Sequence, residues 1–386
     1  FGGPARTVPA LSFALAELGH HIDLVYLDFG HRFQKPLLLE HQNLDYHPIK
    51  VKLSLGLRPV LTPSFRKRIY QVAEGKRNLI FHDNGIWHPH SGVTIRTANK
   101  FRAPILTTVH GMLEPWALSY GRFRKMVVWN LFQKRRLEQN QLLHTTSQAE
   151  AENLRKLGLS VPLVLIPNGT TVPELDIPQE TDQDQKTILF LSRIHPKKGL
   201  LNLVEALRRL QPKGWRVLIA GYDEGGYKAK IEQSVRSAGL ENMIRFIGPV
   251  DDQDKWQHYN NADLFVLPSF SENFGIVVIE ALAVGTPVLT TKGTPWRELV
   301  ENNCGWWVEP TVEGILEGLK DALSLNDQQL RYMGSKGRKL VRNRYSWQSI
   351  AADFELVYNW LLGRANSKPN VVIGEGERPG MGELKQ

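Results

Sequence analysis

Two glutamates, Glu272 and Glu280, frame the segment PSFSENFGIVVIEALAVGTPVL at 268–289. The segment reads as a strand end, a polar turn, and a helix leading into the next strand. On a single helix, eight residues at ~1.5 Å of rise each would hold the two carboxylates about 12 Å apart. A glycosidase acid–base pair works at roughly 5–10 Å across a sugar ring, so this spacing predicts two binding contacts and not an acid with a base. An ionised carboxylate accepts several hydrogen bonds at once, which suits the vicinal hydroxyls of a sugar. The plainer alternative is a helix N-terminal charge followed by an exposed glutamate. Asn273, Phe274 and Gly275 follow at the presumed helix start, where backbone N–H groups attract an anion and glycine permits close approach.

A second cluster, LSRIHPKKG at 191–199, leaves a strand with Arg193 and sets Lys197 and Lys198 before Gly199 and an apolar helix. Two cations at the carboxyl end of a strand outline a diphosphate clamp. Alone, such a turn is usually a solvated basic loop; beside an acidic turn in the same domain it gains specificity. Other signals are weaker. His82, His88 and His90 in FHDNGIWHPH do not converge easily on a metal and have no carboxylate set spaced to help, so they read better as lining for a substrate. DQD at 182–184 mimics an Asp-x-Asp metal motif but has no strand before it. GYDEGG at 221–226 lacks the Gly-x-Gly-x-x-Gly dinucleotide pattern, which argues against an oxidoreductase. No metal ion and no other cofactor is expected.

The elements that must position these residues recur at helix-sized intervals. Apolar strand candidates lie at 22–28, 78–83, 104–110, 141–147 and 163–169, then at 187–193, 215–221, 243–248, 263–269 and 287–291. Short strands apolar on both faces require helices on both sides, hence an α/β chain of two doubly wound, Rossmann-like domains facing across a cleft. Ligands of such sheets bind beyond the carboxyl ends of the strands. The expected boundaries are a first domain at 1–168, a linker at 169–186, a second domain at 187–345, a terminal helix at 346–362 able to pack back on the first domain, and a mobile tail at 363–386.

The chain has 386 residues, 42% hydrophobic and 23% charged, enough apolar mass for two cores and too little charge for disorder. Its apolar runs fall far short of the ~20 residues that cross a bilayer. A single cysteine, Cys304, excludes a disulfide framework and fits a reducing compartment. Net charge is +9 and unevenly spread: residues 1–170 hold 22 Lys and Arg against 11 Asp and Glu, whereas 171–386 hold 26 against 28. A basic first half suits an acidic substrate or an anionic surface, or is simply a soluble basic face. In 113–140, Trp116, Trp129, Leu131 and Phe132 alternate with Arg122, Arg124, Lys125, Lys134, Arg135 and Arg136. That mixture marks either an interfacial helix or a helix with one face in the core, and both can hold.

Across nearly its whole length the chain resembles the retaining glycosyltransferases of family 4, which have the two-domain GT-B fold. The resemblance rests on a Glu, seven residues, Glu signature, Glu272 to Glu280, and on Arg193 and Lys198 after the first strand of the second domain. It implies that Glu280 binds the nucleotide ribose, that Glu272 and the backbone at Phe274–Gly275 hold the donor hexose, and that Arg193 with Lys198 neutralises the departing diphosphate. It also matches His110 in TTVHGM to a histidine near the transferred sugar, Gly2 and Gly3 to a loop on the donor phosphate, and Asn168-Gly169 to a hinge. Read without it, His110 is a strand-end structural residue, the glycine pair a flexible end, and Asn168-Gly169 an ordinary turn. The implied mechanism is same-face substitution, the leaving diphosphate helping to deprotonate the acceptor, with no enzymic nucleophile.

The reading is therefore a retaining hexosyltransferase that takes a nucleotide-sugar donor to a saccharide or lipid-linked acceptor, in bacterial cell-envelope polysaccharide or lipopolysaccharide synthesis. It would work in the cytoplasm, peripheral at the inner face of the plasma membrane if the basic half meets anionic lipid, and without nucleic acid. A non-catalytic nucleotide or polyanion binding protein, or a sugar-nucleotide epimerase of the same fold, are the alternatives. In a doubly wound domain the first strand lies mid-sheet and its glycine loop follows, so with Gly2-Gly3 leading the sequence a strand of ~5–6 residues and its lead-in are expected upstream. Without that strand the first domain should fold poorly.

Overall fold

The structure, a computed structural model, describes residues 3–28, 38–50, 62–173 and 185–373. Gly2 and the DQD at 182–184 lie outside them. In chain order the described strands are β1 (Ile22–Asp28), β2 (Leu44–Lys50), β3 (Phe81–Asn84), β4 (Ile105–Thr108), β5 (Leu142–Thr145), β6 (Leu163–Leu165), β7 (Lys186–Leu191), β8 (Trp215–Ala220), β9 (Ile244–Gly248), β10 (Leu264–Leu267), β11 (Val288–Thr291), β12 (Gly305–Val308) and β13 (Val372–Ile373). The chain divides into two compact units, one made of Phe1–Asn168 with Trp347–Gln386 and the other of Gly169–Ser346.

In the second unit six strands form one parallel sheet in the order β12-β11-β10-β7-β8-β9. Leu264, Phe265, Val266 and Leu267 of β10 and the four residues of β11 are all buried, because helices cover both faces and no polar side is needed. The helix Ile276–Val284 follows the same logic: it is apolar nearly all round, and Val278–Ala283 are buried. Glu280 is the exception within it.

The first unit holds a five-stranded sheet in the order β13-β6-β5-β4-β3, while β1 and β2 pair with each other as a separate parallel ribbon. The helix Pro4–Glu17 packs through Ala14 and Leu15 into a core shared with Ile350, Phe354, Val357 and Trp360 of the helix Trp347–Leu361. The chain thus ends on the unit where it starts.

Two expectations are corrected, and two strands are added. Residues 363–386, read as a mobile tail, include β13, where Val372 pairs antiparallel with Val164 on the edge of β6 and is buried. The strands β2 and β12 were not foreseen, because Asp45, His47 and Pro48 break the apolar run of one and two tryptophans open the other. Glu272 and Glu280 do not share a helix. Gly275, at φ +80°, caps the helix at Ile276, so Glu272 belongs to the preceding turn and the 12 Å spacing of a continuous helix does not apply.

Candidate active site

Because β7 and β10 are parallel neighbours, their carboxyl ends lie side by side. Beyond β7 the chain runs through Arg193 into a 3-10 turn, Pro196–Lys198, capped by His195, whose Nδ1 accepts the Lys197 N–H at 3.1 Å. Beyond β10 it runs through Pro268 and Ser269 to Glu272. The two turns interlock. The Phe270 N–H donates to the Lys197 carbonyl at 2.9 Å. Gly199 sits at φ +69° so close to the other turn that a Cβ would lie 2.0 Å from the Pro268 carbonyl oxygen, which leaves glycine as the residue that fits.

Across this joint Lys198 Nζ meets Glu272 Oε1 at 2.5 Å, and Ser269 Oγ donates to the same oxygen at 2.6 Å. Both charged side chains are nearly enclosed, 8% and 11% exposed. Burial pushes the Glu272 carboxyl up, but the Lys198 charge and the hydrogen bonds from Lys198 and Ser269 outweigh it, so the group titrates below the usual range. Glu272 is therefore held ionised, and its N–H donates to the Gly293 carbonyl at 2.8 Å in the turn after β11. On the other flank, Arg193 Nη1 meets Glu224 Oε2 at 2.7 Å, both half-exposed, in the loop after β8. Three adjacent strand ends, of β10, β7 and β8, thus supply one patch of paired charges, and the turn after β11 braces it through the Gly293 carbonyl.

Next to Glu272 and Asn273, Phe274 is buried with its ring on Trp296, centroids 5.0 Å apart, and its carbonyl accepts the Trp296 indole N–H at 2.5 Å. That fixes the turn before Gly275 and aims the first-turn N–H groups of Ile276–Val284 out of the helix end, where an anion would be received. Glu280 lies deeper: Lys255 Nζ holds one oxygen at 2.7 Å and the Tyr259 hydroxyl donates to the other at 2.9 Å. A carboxylate oxygen keeps a second lone-pair direction, so this clamp orients Glu280 without exhausting it. Lys255 and Glu224 were missed in the sequence, since a lysine in DQDK and a glutamate in GYDEGG carry no motif of their own.

In the first unit His110 stands beyond β4 at φ +50°, a strained backbone for a residue with a Cβ, and its Nε2 lies 3.1 Å from Asn84 Oδ1. Burial, then the neighbouring His144, push its pKa down to about 3, so it is neutral at physiological pH. The following Gly111 N–H donates to the buried Glu150 at 2.5 Å, and Glu150 also accepts the Thr146 N–H at 2.7 Å. Glu150 thereby fixes the loops after β4 and β5 together; its signal was the Ser-x-x-Glu capping pattern of Ser147 and Glu150. Gly3 caps the helix Pro4–Glu17 in helical conformation. His82 is half-buried, and the rings of His88 and His90 are tilted to each other with centroids 6.5 Å apart. Among the described residues one trio, His21, Asp23 and Asp45, brings ligand-type atoms within 4.8 Å, but it sits at the amino ends of β1 and β2 and the Lys76 ammonium already contacts Asp23.

The segment 113–140 presents Tyr120, Phe123, Met126 and Leu131 to solvent, Phe123 and Leu131 at 76% and 71% exposure, beside Arg122, Arg124 and Arg135, while Leu113 and Leu137 turn inward. No helix among the described residues is long and apolar enough to cross a membrane.

Residues 172–340 match the family "Glycosyl transferases group 1" and residues 2–169 match "Glycosyl transferase 4-like domain". The chain is 26% identical over 404 residues to an MMP α-(1→4)-mannosyltransferase of Mycolicibacterium hassiacum, covering 94% of this chain and 96% of that one. It is 34% identical over 205 residues to a phosphatidyl-myo-inositol mannosyltransferase of Mycobacterium leprae, covering 50% and 53%. Against several such relatives the match spans about half of their length. Among solved structures, sucrose-phosphate synthase of Thermosynechococcus elongatus superposes with a TM-score of 0.70 at 24% identity, covering 93% of each chain, which shows the shared GT-B fold. The two matched domains, read with the interlocked turns after β7 and β10, make this chain a member of the group 1 glycosyltransferases.

Proposed function

We propose that the protein is a retaining hexosyltransferase that uses a nucleoside-diphosphate sugar, and that its acceptor is a saccharide or lipid-linked saccharide of the bacterial cell envelope. The observation that carries the reading is the Lys198–Glu272 joint, which fastens a basic turn and an acidic turn at the ends of neighbouring strands. In this reading Arg193 and Lys198 take up the negative charge of the departing diphosphate, Glu272 and the backbone of Phe274 and Gly275 hold the hexose, and Glu280, oriented by Lys255 and Tyr259, accepts from the ribose hydroxyls. Gly3 is assigned to the donor phosphate. His110, kept neutral, offers a hydrogen bond to a sugar hydroxyl.

Glu272 is already engaged by an ammonium and a hydroxyl, which suits a binding carboxylate better than a nucleophile. That arrangement supports substitution on one face of the sugar, assisted by the leaving group and independent of a metal ion. Similarity to mannosyltransferases makes mannose the first hexose to try. The exposed aromatic and basic residues of 113–140 favour a lipid-linked acceptor reached at an anionic membrane surface on the cytoplasmic side. The test is turnover of a panel that includes GDP-mannose and UDP-glucose, followed by release of nucleoside diphosphate. Release from one donor, lost in Arg193→Ala, is expected; a panel bound without turnover would leave a binding protein instead.

A further inference from the structure

Gly275 joins the turn that carries Glu272 to the helix that carries Glu280, and its φ of +80° is one that glycine adopts without strain. The same freedom makes the peptide between Phe274 and Gly275 easy to rotate, because no Cβ on residue 275 resists the movement. That peptide is planar and trans, so the Phe274 carbonyl and the Gly275 N–H point in opposite directions and turn as one body. Whatever holds the carbonyl therefore aims the N–H. The Phe274 carbonyl is held by Trp296, which donates its indole N–H at 2.5 Å from the loop between β11 and the short helix Glu298–Glu301.

Trp296 is itself firmly seated. It is buried, and its ring meets those of Phe274 and Tyr345, also buried, with centroids 5.0 and 5.3 Å away. Tyr345 backs the indole and is tied at both ends. Its hydroxyl donates to Glu298 Oε2 at 2.7 Å, while Arg344 Nη1 holds Glu298 Oε1 at 2.5 Å. Its N–H donates to the Val341 carbonyl and its carbonyl accepts the Thr170 N–H, each at 2.8 Å. A Cβ on Gly275 would lie 3.4 Å from Trp296 Nε1 and 3.6 Å from Glu272 Cγ, so the indole and the Glu272 side chain bracket this one residue. Glu280 is anchored elsewhere, by Lys255 and Tyr259 of the helix Lys255–Asn260. We propose that Trp296, backed by Tyr345, is a positioning residue: it locks the peptide after Phe274, aims the Gly275 N–H at the donor hexose, and leaves the hold on the nucleotide to Glu280. This rests on the donor assignment made above for Glu272, Phe274, Gly275 and Glu280. Without the indole N–H the carbonyl loses that donor, the glycine peptide turns over more freely, and the hexose loses a contact that the nucleotide never had.

Titration calorimetry on the 386-residue chain tests this with two pairs of ligands, GDP with GDP-mannose and UDP with UDP-glucose. Trp296→Phe keeps a ring in the stack and removes the donor. For the pair that the chain binds, it should weaken the nucleotide sugar roughly tenfold or more and leave the nucleoside diphosphate within about twofold. Trp307→Phe controls for general loosening, because the Trp307 indole N–H donates to the Thr294 carbonyl at 3.0 Å in the same loop but at a different peptide. It should leave the ratio of the two affinities unchanged. If the melting curve shows Trp296→Phe to be unfolded, benzothienylalanine at position 296, which has the shape of tryptophan with sulfur in place of the N–H, carries the same expectation. Weakening of the diphosphate as much as the nucleotide sugar, weakening of neither, or the same change of ratio in Trp307→Phe would overturn the proposal and leave the donor assignment standing. A wild-type chain that binds none of the four ligands would overturn both.

Discussion

At the scale of single residues, the proposed function gives the enclosed Lys198–Glu272 pair a part in both stability and chemistry. Removing one partner of an enclosed ion pair leaves the other charge desolvated and alone, at a cost of about 3–5 kcal/mol. Lys198→Met should therefore lower the melting temperature clearly, and the double variant Lys198→Met with Glu272→Gln should recover most of it. Neither should recover turnover, because the diphosphate loses its cation. Thermal unfolding beside a donor-release assay separates the effects; activity returning with stability would make the pair purely structural. Residue types and spacing pointed to the turns of Arg193 with Lys198 and of Glu272, and the structure joins these two turns through the Lys198–Glu272 pair. What spacing could not convey is that each motif residue has a partner from elsewhere: Glu224 for Arg193 comes from the loop after β8 and Lys255 for Glu280 from the start of the helix Lys255–Asn260, and only the fold brings them in.

At the scale of elements, a polar chain, buried at Thr108 and His144 and half-buried at His82 and Tyr358, ties the helix Trp347–Leu361 to the first sheet. The His144 Nε2–H donates to the Ile166 carbonyl at 2.7 Å, so His144 Nδ1 accepts from the Thr108 hydroxyl at 2.8 Å. Thr108 then accepts from His82 Nε2–H, and His82 Nδ1 accepts from the Tyr358 hydroxyl, each at 2.7 Å. One set of tautomers satisfies every member, and protonating either ring breaks it. Burial, then His144 and His110, hold His82 well below the ordinary 6.5, and burial against the Ile166 hydrogen bond holds His144 near 4. The folded values are depressed, so below pH 6.5 the unfolded chain binds protons that the folded chain refuses. Stability of the first unit should be full above about 6.5 and fall as the pH drops towards 4, with proton uptake on unfolding. Denaturation midpoints from pH 4 to 8 check this, and a flat profile would contradict it. No single histidine in the sequence announces such a chain, because its members come from β3, β4, β5 and a helix more than two hundred residues away.

At the scale of the whole molecule, the other strands of both units and the terminal helix followed from apolar runs and periodicity, while β2, β12 and β13 did not, because polar, tryptophan-rich or very short strands take their order from neighbours already in place. The charge asymmetry acquires a location in 113–140, where Phe123 and Leu131 stand in solvent among arginines. Vesicles containing anionic lipid should retain the protein at low salt and release it as the Debye length shortens, and Phe123→Ser with Leu131→Ser should weaken retention without changing the fold. Equal recovery on neutral and anionic vesicles would leave those side chains without a membrane role.

The central claim is that the paired charges at the ends of β7 and β10 drive departure of a diphosphate while the sugar keeps its configuration. It is tested most directly by following the anomeric proton by NMR as an α-linked nucleotide sugar is consumed, with water as the acceptor if no saccharide is accepted. The account predicts that the first product formed is the α-anomer, before mutarotation, and that Lys198→Met with Glu272→Gln abolishes its appearance. A β-anomer formed first, or unchanged turnover in that double variant, would contradict it.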